Sequence, residues 1–204
     1  MPPEAPDTIR SEQDLERLFG PVAAPSLRKE VPFLHPVYQR WIAASPFVVL
    51  ATSGPGGLDA SPRGDPASLV QVQDAHTLLL PERRGNNRTD SLRNLLHDPR
   101  VGLLFLVPGV NETLRVNGTA RIRTAPELLD RFALHGQRPR CVLEIRVDAA
   151  FFQCGRAMLR SGLWTVDPVS VPTAGEMLQA VTAGDIDGGK YDAELPARQR
   201  DTLY

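Results

Sequence analysis

Half of the stretch "PERRGNNRTDSLRN" (residues 81–94) is arginine or asparagine: Arg83, Arg84, Arg88 and Arg93 with Asn86, Asn87 and Asn94. Guanidinium forks and amide N–H groups suit a phosphate monoester, which carries roughly −1.5 to −2 charges near neutral pH and three strong acceptor oxygens. The apolar periodicity that follows predicts a helix from about Arg88 to His97, with Leu92, Leu95 and Leu96 on one face. Asn87 and Arg88 then fall at its start, and Ser91 and Arg93 in its first turns, where free backbone N–H groups favour an anion. Cations at a helix N-terminus oppose the dipole, which slightly disfavours a merely solvated cluster. From the residues alone three readings stay open: a phosphate seat, a solvated basic helix start, and a nucleic-acid contact.

A second cluster, "CGRAMLRSGLW" (Cys154 to Trp164), puts Arg156, Arg160 and Ser161 on a predicted helix that ends in an aromatic. Its arginines either snorkel over Trp164 or meet a ligand. The chain carries a net charge of −1, so it has no general attraction to nucleic acid or anionic membranes. Two arginine clusters on so balanced a chain imply a ligand with a phosphate and a planar part.

Other chemical signals are thin. "GDIDGGK" (Gly184 to Lys190) has P-loop spacing, but Tyr191 stands where the metal-binding hydroxyl belongs, and a helical pattern precedes it. "GPGG" at Gly54 sits in a predicted hairpin, where glycine serves the turn. The histidines (His35, His76, His97, His135) have no metal-pair spacing. Cys141 and Cys154 form no C-x-x-C pair and are expected to be buried small hydrophobes. Three N-glycosylation sequons carry no weight, because the acidic start lacks a signal-peptide pattern and no apolar run is long enough to span a bilayer. The expected location is the cytoplasm.

The elements that position these residues read as an α+β chain, mainly β. A helix is predicted at "SEQDLERLFG", capped by Ser11 and stopped by Gly20. Proline-punctuated chain follows, then a helix at "PVYQRWIAAS" with Pro36 in its first turn. "FVVLATS", "LDASPRG", "LVQVQ" and "HTLLLPE" read as strands of a meander. "RVGLLFLVP" reads as a strand buried on both sides, and "ETLRVNGTARIRT" as a strand with a bulge at Gly118. "PELLDRFAL" is helical and "RCVLEIRVDAAFF" is a strand. The tail from about Asp167 is loop plus short helices at "AGEMLQAVTAG" and "ELPARQRDTLY". Such a series suggests helices around a small barrel. The expected organisation is one domain: N-terminal helices over residues 1–45, a barrel core over 46–166, and an extension over 167–204.

Four blocks, "SPRGDP", "GNNRTDSLRNLLHDPRVGLLFLVPG", "ETLRVNGTA" and "CGRAMLRSGLW", together resemble the FMN-dependent pyridoxamine 5′-phosphate oxidase-like proteins, in a subgroup of uncharacterised FMN-dependent enzymes. The likeness runs from the first helix to the terminal "LY". It implies a six-stranded antiparallel split β-barrel, a homodimer, and FMN at the subunit interface. It implies that Asn87 and Arg88 grip the FMN phosphate with Ser91 and Arg93, that Arg63 runs beside the flavin and ribityl chain, and that Thr113 contacts the ring. Arg115 becomes a candidate for the flavin N1 side. Arg160, Ser161 and Trp164 match the block that reaches the flavin pocket, from the partner subunit in one arrangement.

Departures from the family pattern narrow the reading. Thr89 replaces the phosphate-binding lysine, so Arg83, Arg84 or Arg93 must supply that charge. Gln153 stands where subgroup members often carry histidine. The C-terminal R-x-H segment of true oxidases is absent, so oxidation of pyridoxamine phosphate is not expected. The implied activity is an FMN-dependent oxidoreductase on a small molecule, and Arg156 and Arg160 suggest an anionic one. A non-catalytic redox sensor or carrier and a deazaflavin (F420)-dependent reductase are the alternatives; no metal is expected.

Overall fold

The computed structural model describes residues 8–66, 69–165, 167 and 170–201; Leu203 and Tyr204, the terminal "LY" of the resemblance, lie outside them. Helix α1 (Glu12–Phe19) begins where the Ser11 hydroxyl accepts the Asp14 N–H, and Gly20 ends it at φ +73°. A short helix, α2 (Ala24–Arg28), occupies the segment expected to be irregular, with proline in its first turn where a missing N–H does no harm. Helix α3 (Pro36–Ala44) starts on Pro36 as expected, and His35 Nδ1 accepts the Val37 N–H.

Seven strands form one antiparallel sheet: β1 (Phe47–Gly54), β2 (Gly57–Gly64), β3 (Gln71–Asp74), β4 (Thr77–Glu82), β5 (Arg100–Leu106), β6 (Thr113–Arg123) and β7 (Cys141–Gln153). Their order is β2-β1-β5-β6-β7-β4-β3. The mainly-β antiparallel architecture with flanking helices is therefore the one expected. The described sheet has seven strands where six were expected, with β2 and the four-residue β3 at its edges. Register shifts between Asn117 and Gly118, which places the expected bulge. A Cβ at Gly118 would stand 2.1 Å from the Arg146 carbonyl oxygen, so the close strand approach there requires glycine.

Period-two alternation builds the core. Val48 and Leu50 of β1, Leu103 and Phe105 of β5, Leu114 and Val116 of β6, and Leu143 and Ile145 of β7 all point inward and are fully or almost fully buried. Burial of β5 on both sides does not hold within one chain. Val101, Leu103 and Phe105 are buried while Leu104 and Leu106 are only half-buried, because no element of the described chain covers that face.

Helix α4 (Asp90–Leu95) is shorter than expected, so Asn87 and Arg88 precede it. It packs on β1: Asn94 Nδ2 donates to Thr52 Oγ1 at 3.1 Å, and a Cβ on Gly54 would lie 2.4 Å from Asn94 Oδ1. Helices α5 (Pro126–Arg131) and α6 (Arg156–Ser161) fall where the sequence places them. In the tail, α7 (Ala174–Val181) opens with a capping box from Thr173 and Glu176 and packs against α8 (Gly188–Asp201). Lys190 of the P-loop look-alike lies inside α8. Among the described residues no helix is long and apolar enough to cross a membrane.

Candidate functional site

The sheet is not closed by backbone pairing between β2 and β4, and the site lies in that gap. On β2, residues Asp59, Ser61 and Arg63 pair with Thr52, Leu50 and Val48 of β1, and opposite residues in a ladder share a face. A polar row thus continues the inward face of the core strand. Across the gap, Glu82 shares the inward face of β4 with Leu78 and Leu80. Arg63 Nε donates to Glu82 Oε1, and this ion pair joins the two strands by side chains alone. Both partners are largely shielded, with 18% and 13% of their side chains exposed.

The rest of Arg63 is engaged too. Its Nη1 donates to Ser61 Oγ at 2.9 Å and to the Pro62 carbonyl at 3.0 Å; its Nη2 donates to Ser91 Oγ at 3.2 Å. The Ser91 hydroxyl donates to Asp59 Oδ2 at 2.5 Å, and the Ser61 hydroxyl donates to the same oxygen at 3.1 Å. Ser91 is itself buried, so α4 is stitched to β2 by hydroxyls. Cys141, on β7 beside this network, is buried; loss of solvent and the nearby Glu82 carboxylate push its thiol up to about 11. Cys154 is exposed, contrary to expectation, since β7 ends one residue before it.

A cleft of about 720 Å³ opens over this network, walled by β2, β4, the 83–89 loop and Arg140. Its charges can be paired off. Arg63 binds Glu82, Arg83 binds Asp65 at 2.7 Å, and Arg88 binds Asp90 at 2.8 Å. Two cations, Arg84 and Arg140, remain without a side-chain partner among the described residues, and one carboxylate, Asp59, remains without an ion pair. Arg140 carries no sequence signal of its own. The Glu82↔Cys141 register brings it beside Arg83, a long-range placement. The loop also holds Asn87 at φ 59° and Thr89 at φ 56°. A β-branched residue there is an outlier, a strain of the kind found at ligand clamps.

The residues expected at the site divide into groups. Arg63, Asn87, Arg88 and Ser91 line the cleft. Arg93 lines an adjoining cavity of about 480 Å³ with Arg88 and His97, and its Nε donates to Thr89 Oγ1 at 3.3 Å. Thr113 and Arg115 alternate with the core residues Leu114 and Val116 and so lie on the outer face of β6. There the Thr113 hydroxyl donates to Gln153 Oε1 at 3.4 Å, and Arg115 sits over the Phe151 ring. Trp164 Nε1 donates to the Val110 carbonyl at 2.9 Å, and Ser161 Oγ bonds back to Met158 O. Arg160 is exposed on α6. None of Thr113, Arg115, Arg160, Ser161 or Trp164 lines the cleft within its own chain.

Residues 34–154, more than half of the chain, match the pyridoxamine 5′-phosphate oxidase family. The chain belongs to that family. Among solved structures it is similar to a HupZ variant of Group A Streptococcus, at 18% identity over 59% of this chain and 99% of that one, with a TM-score of 0.49. It is also similar to General Stress Protein 26 of Bacillus anthracis, at 16% identity over 55% and 88% of the two chains, with a TM-score of 0.43. An FMN-binding protein of Syntrophomonas wolfei aligns at 13% identity over 56% and 82%, with a TM-score of 0.43. No curated protein matches the sequence.

Proposed function

We propose that this member of the pyridoxamine 5′-phosphate oxidase family is a cytoplasmic homodimeric flavoprotein that binds FMN in the β2–β4 cleft and acts as an oxidoreductase on a small molecule. The observation that carries this reading is the cleft's unbalanced charge: Arg84 and Arg140 line it with no side-chain partner among the described residues. Its volume falls within the range of small-molecule sites, and Leu69 and Pro81 add apolar wall. The residues present fit the cofactor.

Arg84, Arg140 and Arg88, with the Asn87 amide, would hold the phosphate. The short α4 adds little to this grip, because Asp90 stands in its first turn. Arg63 and Ser91 are walls of the cleft with their hydrogen-bonding groups already engaged, so they fix its shape. FMN supplies the redox chemistry when bound; the chain's part is to orient it, shield it and admit a substrate.

A second copy would complete the site. The outer faces of β1, β5 and β2 carry Phe47, Val49, Leu104, Leu106 and the 90% exposed Leu58, where a solvated antiparallel sheet would be polar. Covering that face by a partner would bury it and would place each protomer's Arg115, on the same side of the sheet, at the contact. Thr113, Arg160, Ser161 and Trp164 would then serve the partner's cleft.

Absorbance of the purified protein and identification of the released cofactor test the reading. A flavin spectrum with FMN released on denaturation is the expected result. Release of F420 would replace the cofactor assignment, and a protein that takes up no FMN would overturn it. Light scattering is expected to give about twice the chain mass of 22.4 kDa. Bound FMN without turnover of any reductant would favour a carrier or sensor over an enzyme.

A further inference from the structure

The cleft has two ends of opposite character. Its exposed rim carries Arg84 and Arg140, which have no side-chain partner among the described residues, whereas its inner wall carries Asp59, Ser61 and Ser91. Arg63, the one cation on that wall, is neutralised by Glu82. Asp59 is therefore a half-buried carboxylate with no ion pair among the described residues. Its Oδ2 accepts from the Ser91 and Ser61 hydroxyls, and among the described residues no hydrogen bond reaches its Oδ1.

We infer that Asp59 determines specificity by accepting hydrogen bonds from the hydroxyl groups of the ligand's polyol chain, and so directs the phosphate outward to Arg84 and Arg140. This rests on the flavin reading above. An ionised carboxylate is an acceptor only, so its free oxygen selects donors such as ligand hydroxyls. The Ser61 and Ser91 hydroxyls meet Asp59 at Oδ2, accept from Arg63 and lie 3.0 Å from each other, so the acceptor capacity of this cluster that is left for a ligand sits on Oδ1. A phosphate placed there would meet a negative charge and acceptor oxygens, and repulsion would drive it to the rim. A ligand with hydroxyls at one end and an anion at the other satisfies both ends at once.

Three flavins separate the contributions: lumiflavin has no polyol chain, riboflavin has the hydroxyls, and FMN adds the phosphate. Each is titrated by fluorescence into wild-type protein and into Asp59→Asn, which keeps the shape and removes the charge. A charge-assisted hydrogen bond is worth on the order of tenfold or more in affinity. The expected result is riboflavin weakened by about that factor and lumiflavin unchanged. FMN is weakened less than riboflavin, since the repulsion of its phosphate is relieved. The variant Asp59→Glu, which restores charge at a displaced position, is expected to recover the preference for riboflavin over lumiflavin in part.

Unchanged riboflavin affinity in Asp59→Asn overturns the inference and leaves the flavin reading standing. Equal loss of lumiflavin and riboflavin in both variants, with melting temperatures like wild type, assigns Asp59 a purely structural role and also overturns it. Wild-type protein that binds none of the three overturns the flavin reading and this inference with it.

Discussion

The β6–β7 seam and the β2–β4 seam hold the same barrel wall by different means. Strands β6 and β7 pair through their backbones from Thr113↔Gln153 to Arg123↔Val142. Strands β2 and β4 share no ladder and meet through Arg63 and Glu82, with Ser61, Ser91 and Asp59 beside them. A backbone ladder leaves no room for a ligand, and the bulge at Gly118 absorbs its one irregularity. A side-chain seam leaves a cleft, and its groups can be shared with whatever enters. Rigidity at one seam and a polar opening at the other are the division of labour expected of a scaffold that carries a site.

The largest effect is expected at the backbone seam. Gly118→Val forces a side chain against the Arg146 carbonyl, and overpacking of this kind costs about 3 kcal/mol. Thermal unfolding should fall by roughly 10 °C for a chain of this size. A melting temperature equal to wild type would mean that the strands separate more easily than the bulge geometry implies.

At the side-chain seam, Arg63→Ala leaves the Glu82 carboxylate largely shielded and unpaired. Breaking a buried pair costs several kcal/mol; with the residual exposure here the loss should be about 2 kcal/mol. The double change Arg63→Met with Glu82→Leu should return to within about 1 kcal/mol of wild type in denaturant titration. A double variant as unstable as the single would show that Arg63 acts through its serine contacts and not through Glu82.

Cys141 reports on the same seam by pH. Its thiol is raised from 9.0 to about 11 by burial and by Glu82, so the folded state keeps a proton that the unfolded state has released. Stability from this group is complete below pH 9 and is lost as pH rises through about 11. Melting temperature should decline across that window, and Cys141→Ala should flatten the decline relative to wild type.

The smallest effect on stability is expected at the rim. Arg88 and Asp90 are 74% and 44% exposed, and such a pair contributes at most about 0.5 kcal/mol. Arg88→Ala should leave unfolding unchanged while weakening FMN more than riboflavin. Equal weakening of both flavins would remove Arg88 from the phosphate seat.

Much of the fold was legible in short windows. Ser11, Gly20 and Pro36 marked helix ends, alternation marked the strands, and Gly118 marked the bulge, because capping, turn chemistry and pleat are set by neighbours in sequence. Helix α2 was missed since two prolines and a short span mask a single turn. Arg88 and Asn87 were legible as cleft candidates, though at a helix start and not in the loop where they lie, whereas Arg140 was not, because it joins the cleft only through pairing with β4.

Although β2 and β3 lie at opposite edges of the sheet and not side by side as the expected meander would have them, the sequence by itself determined most element types and the concentration of arginine and asparagine before α4. Those follow from local backbone preference and from residue type. Only the tertiary structure decided which charges cancel. Arg63 and Glu82 are nineteen positions apart, and Arg83 is forty-nine from its acceptor Phe132 O, both beyond any local pattern. Their meeting depends on how the sheet curls. Among the described residues that curl leaves Arg84 and Arg140 without an ion pair at the rim and Asp59 without one on the wall, and Coulomb interactions at such separations cannot be read from a one-dimensional order of residues.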